Sequence, residues 1–178
     1  MIWWKFKMSK NFYMDNVGKN AKIASNELSS ISLKKKNKVL KTFSNYLKSK
    51  SNLILRENKK DIYKARKLPV SLIKRLELNE EKINQIRKSI KQIINFKDPV
   101  GKTLSSWTRP NGLVIKKISI PIGVIGVIYE SRPNVTADVS VLCFKSGNAT
   151  ILRGGSEAFY SNKILSDLFR KSLKEVGC

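Results

Sequence analysis

The chain has 178 residues, of which 41% are hydrophobic and 28% charged, a composition typical of a soluble globular protein with one sizeable core. Its net charge of +23 comes mostly from lysine and is spread along the sequence without a nucleic-acid-binding motif, so we expect no nucleic-acid partner. The longest apolar run, residues 118–129, is too short to span a bilayer, and the start lacks a signal-peptide pattern, which predicts a cytoplasmic protein with no membrane partner.

Residues 14–100 are predicted to form mostly amphipathic helices. Asp15, Ser32 and Asn79 each stand just before a segment with apolar residues at helical spacing, where a short polar side chain can cap free N–H groups. The dense basic block at 34–38 is expected on a solvated helix face.

A further helix is predicted from about residue 51 to residue 67, with its polar stretch 56–61 exposed. Pro69 is expected to end it, because proline lacks the N–H group that a helix interior requires. Asn79 then opens a long helix in which isoleucines recur at helical spacing.

From Gly101 onward the pattern changes from helical to β. Residues 101–121 alternate around a Pro-Asn-Gly turn at 110–112, which predicts a β-hairpin. The continuous apolar run 124–129 predicts a strand covered on both faces.

The remainder of the chain alternates strand and helix. After the first strand, Asn134 or Thr136 is expected to begin a helix. Residues 149–153 form a second predicted buried strand, and Ser156 is expected to cap a closing helix. Strand, helix and strand in this order form a βαβ unit, which implies a parallel sheet and an α/β fold.

Two unusual polar clusters follow the two strands of this unit. Residues 130–134 (ESRPN) come after the first strand, and residues 153–157 (RGGSE) come after the second. Ligands bind beyond the carboxyl ends of the strands in an open parallel sheet, and each cluster precedes a helix N-terminus, where free N–H groups favour anions. We therefore expect the two clusters to form one binding edge.

Asn134 allows two interpretations. Its side chain can cap the following helix, with Pro133 stiffening the turn. Alternatively, its amide N–H group can donate to a substrate oxygen on which negative charge develops during acyl transfer. The residues alone leave both interpretations open.

The RGGSE cluster also allows two interpretations. It can be a tight turn with Ser156 as a cap and Glu157 in the first helical turn. Alternatively, Gly154 and Gly155 let a cofactor approach the backbone, Arg153 meets a phosphate, and Glu157 accepts hydrogen bonds from a ribose hydroxyl. Because the cluster is not a GxGxxG fingerprint, spacing alone does not establish dinucleotide binding.

The residues supply no evident pair of nucleophile and general base. Cys143 stands between apolar residues in a predicted helix, which favours a core position, and nothing near Cys178 would activate its thiol. The chain has no histidine, so we predict no metal site, no disulfide framework and no histidine base.

Three stretches carry a resemblance to a known family: "DPVG", "WTRPNGL" and "IPIGVIGVIYESRPNVTADVSVLCFKSGNATILRGGSEA". They are similar to the amino-terminal part of the gamma-glutamyl phosphate reductase (glutamate-5-semialdehyde dehydrogenase) family of the aldehyde dehydrogenase superfamily. The resemblance runs from about Met14 to Cys178 and leaves residues 1–13 as an unmatched extension. It implies an aldehyde-dehydrogenase-like α/β fold in three parts: a helical amino-terminal region at 14–100, a hairpin connection at 101–121, and the first βαβ unit of an incomplete Rossmann-like NADP-binding domain at 122–178.

The resemblance also implies a role for each cluster. Asn134 matches the asparagine that helps form the oxyanion hole around the acyl carbon. Arg153 takes the place of a lysine that touches the adenosine end of the cofactor, and Ser156 and Glu157 match an adjacent Ser-Glu pair, with one extra residue before it here. The remaining candidates are two glycines on the cofactor side and three residues on the nicotinamide or substrate side: Gly154, Gly155, Glu130, Ser131 and Arg132.

The implied reaction is the NADPH-dependent reduction of L-glutamate 5-phosphate to L-glutamate 5-semialdehyde, with release of phosphate, in L-proline biosynthesis. In the family a cysteine thiolate attacks the acyl phosphate, and hydride from NADPH reduces the thioester. That cysteine belongs to a later domain, so the resemblance implies a truncated chain without activity of its own. The implied partners are further copies of the full-length protein and glutamate 5-kinase.

Two alternatives stay open from the sequence. The chain can be a non-catalytic remnant that acts as a nucleotide-binding or subunit-interaction module. It can also be a basic nucleic-acid-binding protein built on a lost enzyme. In either case an incomplete parallel sheet has an unpaired edge, which predicts marginal stability or aggregation.

Overall fold

The computed structural model describes residues 12–178, and the predicted extension at residues 1–13 lies almost wholly outside them. The helices are α1 (Phe12–Leu28), α2 (Leu33–Ser49), α3 (Ser51–Lys64), α4 (Val70–Leu76), α5 (Glu80–Asn95), α6 (Pro133–Lys145) and α7 (Phe159–Val176). The strands are β1 (Thr103–Thr108), β2 (Val114–Ile118), β3 (Val124–Ile128) and β4 (Ala149–Arg153), and a 3-10 turn (Ser156–Ala158) precedes α7. None of the helices in this part of the chain is long and apolar enough to cross a bilayer.

Local capping explains where two of the long helices begin. The Ser32 hydroxyl accepts a hydrogen bond from the N–H of Lys35 at 3.3 Å, and the Asn79 side-chain oxygen accepts one from the N–H of Lys82 at 2.8 Å. Both predicted caps are therefore confirmed. Asp15 is not a cap, because α1 begins earlier and Asp15 lies in its first turn.

The helix predicted to reach residue 67 ends earlier. α3 stops at Lys64, and Pro69 then stands directly before the short helix α4. Pro69 thus begins a helix rather than ending one. Its fixed φ suits this position, and its missing N–H leaves no helical hydrogen bond unmade there.

The main hydrophobic core joins the predicted helical region to the βαβ unit. α2 packs against α5 and α7, and α6 packs against the same two helices. Phe169 of α7 makes edge-to-face contacts with Phe43 of α2 and Phe144 of α6, with ring centroids 5.1 and 5.7 Å apart. The buried cluster contains residues from both predicted regions, so their boundary is a change of secondary structure inside a shared core.

One lysine of the basic block is buried, contrary to the expectation of a solvated face. Lys36 is 1% exposed, and its ammonium lies 3.4 Å from the carboxylate of Asp98. Lys145 of α6 is also buried and donates to the side-chain oxygen of Asn37 at 2.7 Å and to the carbonyl of Ile94 at 3.0 Å. Burial lowers the pKa of Lys145. Lys145 therefore joins α6 to α2 and α5, and Lys36 joins α2 to the segment that follows α5.

The strands form two small sheets. β1 and β2 pair antiparallel as the predicted hairpin, with Gly112 at φ 83° in its turn. β3 and β4 pair in parallel, from Val124 opposite Ala149 to Ile128 opposite Arg153. The predicted hairpin and the predicted parallel pair are both confirmed.

β3 is not covered on both faces as predicted. Ile128 is 86% exposed, and Ile122 just before the strand is 83% exposed. Within residues 12–178, α1 contacts both β3 and β4, and α6 contacts β4, yet one side of β3 stays open. An apolar run shows that a strand is suited to burial. It does not show that another segment packs against both of its faces.

Candidate functional site

The two polar clusters lie side by side. Ile128 and Arg153 are opposite each other in the parallel ladder, and the N–H of Tyr129 donates to the carbonyl of Arg153 at 3.1 Å. Residues 130–134 and 153–157 therefore leave the sheet at the same edge, beyond the carboxyl ends of β3 and β4. The predicted adjacency is confirmed, and it lies at the edge where open α/β sheets bind ligands.

A hydrogen bond joins the two clusters. The hydroxyl of Ser131, which is 4% exposed, donates to Oε1 of the partly buried Glu157. The Ser131 hydroxyl, together with the backbone N–H of Glu157, lowers the pKa of the Glu157 carboxyl. Glu157 is therefore held as an anion, with one carboxylate oxygen bound to Ser131.

The two glycines of the RGGSE loop leave room for neighbouring side chains. A Cβ on Gly154 would overlap the amide of Asn162 and come within 3.0 Å of the Tyr129 ring. A Cβ on Gly155 would overlap the carboxylate of Glu157, which folds back over it. Both glycines thus allow side chains to close over the loop, and neither has a positive φ.

A cavity of about 290 Å³ lies beside β4 and the start of α7, and we call it the β4 cavity. Hydrogen bonds along its wall link the Tyr129 and Thr136 hydroxyls at 2.5 Å, and the Thr136 hydroxyl and the amide oxygen of Asn162 at 2.8 Å. Burial raises the pKa of Tyr129, so its phenol stays protonated in neutral solution. These contacts fix the wall against which Gly154 packs.

Two basic side chains line the β4 cavity. Lys163 is paired with Asp167 at 2.7 Å, whereas Arg153 takes part in none of the ion pairs found among residues 12–178. Glu157 does not line this cavity. An anionic group that enters it meets the exposed guanidinium of Arg153, so the predicted phosphate contact has a cation suited to it.

A buried polar joint behind the loop was missed by sequence reasoning. Asp61 of α3 is 1% exposed and accepts hydrogen bonds from the N–H groups of Tyr160 and Ser161, at 3.0 and 2.7 Å, and from the Ser161 hydroxyl at 2.6 Å. It caps the first turn of α7 from 100 positions earlier in the sequence. The prediction that the whole stretch 56–61 is exposed is therefore wrong.

Asn58 extends this joint. Its amide donates to the carbonyl of Leu76 and to the Ser161 hydroxyl, both at 2.9 Å, and its oxygen accepts from the N–H of Leu78 at 2.8 Å. The sequence does carry a signal for it, because positions 54, 58, 61 and 65 share one helical face and positions 54 and 65 are apolar. Polar residues on such a face are candidates for a buried network.

Asn134 does not cap α6. The helix begins one residue earlier, at Pro133, and no side chain caps it. The amide nitrogen of Asn134 instead donates to the carboxylate of Asp138 at 3.2 Å, and Thr136, the other predicted start, lies inside the helix. The capping interpretation is wrong. One N–H of the Asn134 amide binds Asp138, which leaves the second as a donor.

A second cavity, also of about 290 Å³, is lined by Asn134 and Asp138 together with residues of α5 such as Lys82 and Ser89. Burial raises the pKa of Asp138, and the hydrogen bond from Asn134 opposes that rise. This cavity shares no lining residue with the β4 cavity. The candidate oxyanion donor and the candidate cofactor loop therefore line separate cavities.

The other candidates are mostly exposed. Glu130 forms only a long, exposed ion pair with α4, at 3.8 Å, and the Arg132 side chain is exposed. Ser156 does not cap the closing helix, because it lies in the 3-10 turn and α7 begins at Phe159. Of the three substrate-side candidates, Ser131 alone forms a side-chain hydrogen bond to the cofactor loop among the described residues.

The structure of residues 12–178 offers no activated cysteine. Cys143 is buried in α6 and burial raises the pKa of its thiol, while Cys178 is exposed after the end of α7. The predicted core position of Cys143 is confirmed. Among these same residues, no group of three or more His, Cys, Asp or Glu side chains could hold a metal ion.

Sequence and structure comparisons relate the chain to known enzymes, although no protein-family model matches it. A gamma-glutamyl phosphate reductase of Listeria welshimeri is 48% identical over 159 residues, which cover 88% of this chain and 38% of the relative. The crystal structure of gamma-glutamyl phosphate reductase from Thermotoga maritima matches with a TM-score of 0.88 and 41% identity, covering 91% of this chain and 40% of that one. An acetylating aldehyde dehydrogenase from Geobacillus thermoglucosidasius matches with a TM-score of 0.64 at 13% identity, over 93% of this chain and 34% of that one, and shares the fold.

These similarities extend over most of this chain and over a limited part of each relative. The chain spans about two fifths of the length of the curated relatives it matches, with 38% and 39% covered in two of them. The predicted aldehyde-dehydrogenase-like fold with a partial parallel sheet is confirmed. Over the residues that it shares with them, the chain is similar to gamma-glutamyl phosphate reductases.

Proposed function

We propose that the chain provides the cofactor-binding edge of a gamma-glutamyl phosphate reductase, which converts L-glutamate 5-phosphate to L-glutamate 5-semialdehyde and phosphate. When bound, NADPH supplies the hydride for this reduction. The observation that carries the proposal is the pairing of residues 130–134 and 153–157 at the carboxyl ends of neighbouring parallel strands. A homo-oligomer, contact with glutamate 5-kinase and a cytoplasmic location are proposed for the intact enzyme.

The residues at this edge fit a dinucleotide. Gly154 and Gly155 add no side chain where the loop leaves β4, and Arg153 offers a forked set of donors for a phosphate. Phe159, which is 57% exposed, lines the β4 cavity with an apolar ring on which a flat ring can stack. This combination of phosphate donor, open backbone and apolar surface supports the binding of NADPH.

Asn134 is assigned to the acyl group of the substrate. One amide N–H is committed to Asp138, and this contact orients the second N–H for an oxygen that becomes negative in the reaction. A donor of this kind contributes about 10²–10³-fold to kcat where it has been removed in other enzymes. Neither Cys143 nor Cys178 matches the nucleophile of the family, so this chain alone is expected to turn over no substrate.

Titration calorimetry with NADPH tests the cofactor proposal on the 178-residue chain. We expect saturable binding that Arg153→Ala weakens about tenfold, because a charge-assisted phosphate contact is lost. Arg109→Ala, in the hairpin turn, is the matched control and should leave the affinity unchanged. The proposal is contradicted by absence of binding, or by equal effects of the two variants.

The catalytic expectation has its own assay. NADPH oxidation is followed in the presence of glutamyl phosphate generated in place, with the chain as the sole added reductase. We expect no rate above background, because Cys143 is buried with a raised thiol pKa, and Cys178 lines neither the β4 cavity nor the cavity at Asn134. Robust turnover would show that the chain contains its own nucleophile.

A further inference from the structure

We infer that Ser131 is a positioning residue that selects NADPH over NADH, because its hydroxyl holds the Glu157 carboxylate away from the β4 cavity. The inference rests on the proposed binding of a dinucleotide at this edge. It concerns the choice between two cofactors that differ only at the 2′ position of the adenosine ribose.

Ser131 holds Glu157, and Gly155 leaves room for its carboxylate. The Ser131 hydroxyl donates to its Oε1, and Ser131 is itself fixed by burial, with 4% exposure, just beyond the end of β3. Gly155 lies so close to the same carboxylate that no Cβ would fit between them. The carboxylate therefore rests over the loop backbone, outside the lining of the β4 cavity.

The β4 cavity is consequently lined by cations and by no carboxylate. Arg153 and Lys163 both line it, and Lys163 is already paired with Asp167 at 2.7 Å. Arg153 has no ion-pair partner among residues 12–178. A guanidinium binds a phosphate dianion through parallel N–H···O contacts, so a 2′-phosphate is favoured here over a hydroxyl.

Release of Glu157 from Ser131 would reverse this preference for a 2′-phosphate. A carboxylate beside the ribose accepts a hydrogen bond from a 2′-hydroxyl, as in NAD-specific sites, and repels a 2′-phosphate. Glu157 lies four positions after Arg153, beyond the two glycines, so a carboxylate that is no longer bound to Ser131 can turn toward the β4 cavity. Ser131 thus acts through Glu157 and does not touch the nucleotide.

The test is the ratio of NADPH to NADH affinity, measured by titration calorimetry on the full chain and on two variants. Wild type is expected to prefer NADPH. Ser131→Ala frees the carboxylate, and the ratio should fall about tenfold through repulsion of the 2′-phosphate. Ser131→Ala/Glu157→Gln removes the charge as well, and the ratio should return toward that of wild type. A variant that merely loosens the fold would weaken both nucleotides alike.

Three outcomes decide against the inference. If wild type binds neither nucleotide, the proposed function is wrong and the inference falls with it. If wild type prefers NADPH and folded Ser131→Ala keeps the same ratio, the inference alone is overturned. If Ser131→Ala does not fold, Glu157→Gln is measured in its place. A carboxylate that is held out of the cavity should contribute little, so the NADPH to NADH ratio of Glu157→Gln should stay within about twofold of wild type. A larger change in this ratio overturns the inference.

Discussion

Two pairs of a serine hydroxyl and a carboxylate flank the start of α7, and they differ in burial. Asp61 and Ser161 are 1% and 0% exposed, and Asp61 accepts three hydrogen bonds from the first turn of the helix. Glu157 is only partly buried and is bound to Ser131 at the edge of the sheet. The first pair lies inside the joint between α3 and α7, and the second bridges two loops beside a cavity.

The difference in burial gives the two pairs different roles: the Asp61 pair stabilises the fold, and the Glu157 pair is proposed to select the cofactor. A buried carboxylate with several donors cannot move without leaving the charge and the donors unsatisfied, so Asp61 fixes where α7 begins. A carboxylate near the surface can be solvated by water once its hydroxyl donor is removed, so Glu157 is able to change position when Ser131 no longer holds it. The same chemistry therefore forms a rigid joint in one place and a movable contact in the other.

The largest predicted effect is at the rigid joint. Asp61→Ala leaves two backbone N–H groups and the Ser161 hydroxyl without their acceptor, and we expect the free energy of unfolding to fall by about 3–5 kcal/mol. Urea unfolding followed by circular dichroism measures the change in midpoint.

Asp167→Ala on α7 is the matched control for Asp61→Ala. Asp167 forms an exposed pair with Lys163 one turn away, and its loss should cost less than about 0.5 kcal/mol. Equal effects of the two substitutions would show that the buried joint does not hold α7.

The second prediction compares the two glycines of the movable loop. In Gly154→Ala the new Cβ meets Asn162, which is held by Thr136, and the Tyr129 ring, so we expect a loss of about 1–3 kcal/mol. In Gly155→Ala the three atoms nearest to the Cβ all belong to the flexible end of Glu157, which can turn away, and the loss should stay below about 1 kcal/mol.

Thermal unfolding of the two glycine variants, measured side by side, tests this order. If Gly155→Ala is the more damaging substitution, the Glu157 carboxylate is not movable and the contrast between the two pairs disappears. Gly155→Ala should also lower the NADPH to NADH ratio, since it displaces the carboxylate by a different route.

Sequence reasoning succeeded where the cause is local. The Ser32 and Asn79 caps were predicted because each acceptor lies three residues from its donor. The hairpin was predicted from the turn residues that join its strands, and the parallel pair from the order of strand and helix. The adjacency of the two polar clusters follows from that same order.

Prediction failed where the partner is distant in sequence. The sequence predicts an exposed Asp61. Its hydrogen-bond donors lie at the start of α7, 100 positions later, so the neighbouring residues do not reveal its burial. Asn134 failed for a different, local reason: α6 begins at Pro133, so Asn134 lies inside the helix and contacts Asp138 only four positions later. The exposed side of β3 could not be foreseen, since an apolar strand does not specify which segment covers it.

The smallest predicted effect is the pH dependence of the movable contact. Ser131→Ala should lower the free energy of unfolding by about 0.5–1 kcal/mol near neutral pH, because one hydrogen bond to a carboxylate near the surface is lost. The Ser131 hydroxyl lowers the folded-state pKa of Glu157 below its ordinary value of 4.5, so the contribution is complete above 4.5 and is lost as the pH falls through the folded-state pKa. The stabilities of wild type and variant should therefore converge in acid.

Ser30→Ala is the control for this pH dependence. The hydrogen bond that it loses goes to the backbone carbonyl of Glu27, at 2.8 Å, so its difference in stability from wild type should not change over the same pH range. Urea unfolding from neutral pH down to below the pKa of Glu157 distinguishes the two, and a Ser131→Ala difference that stays constant would mean that the hydroxyl does not hold the ionised carboxylate.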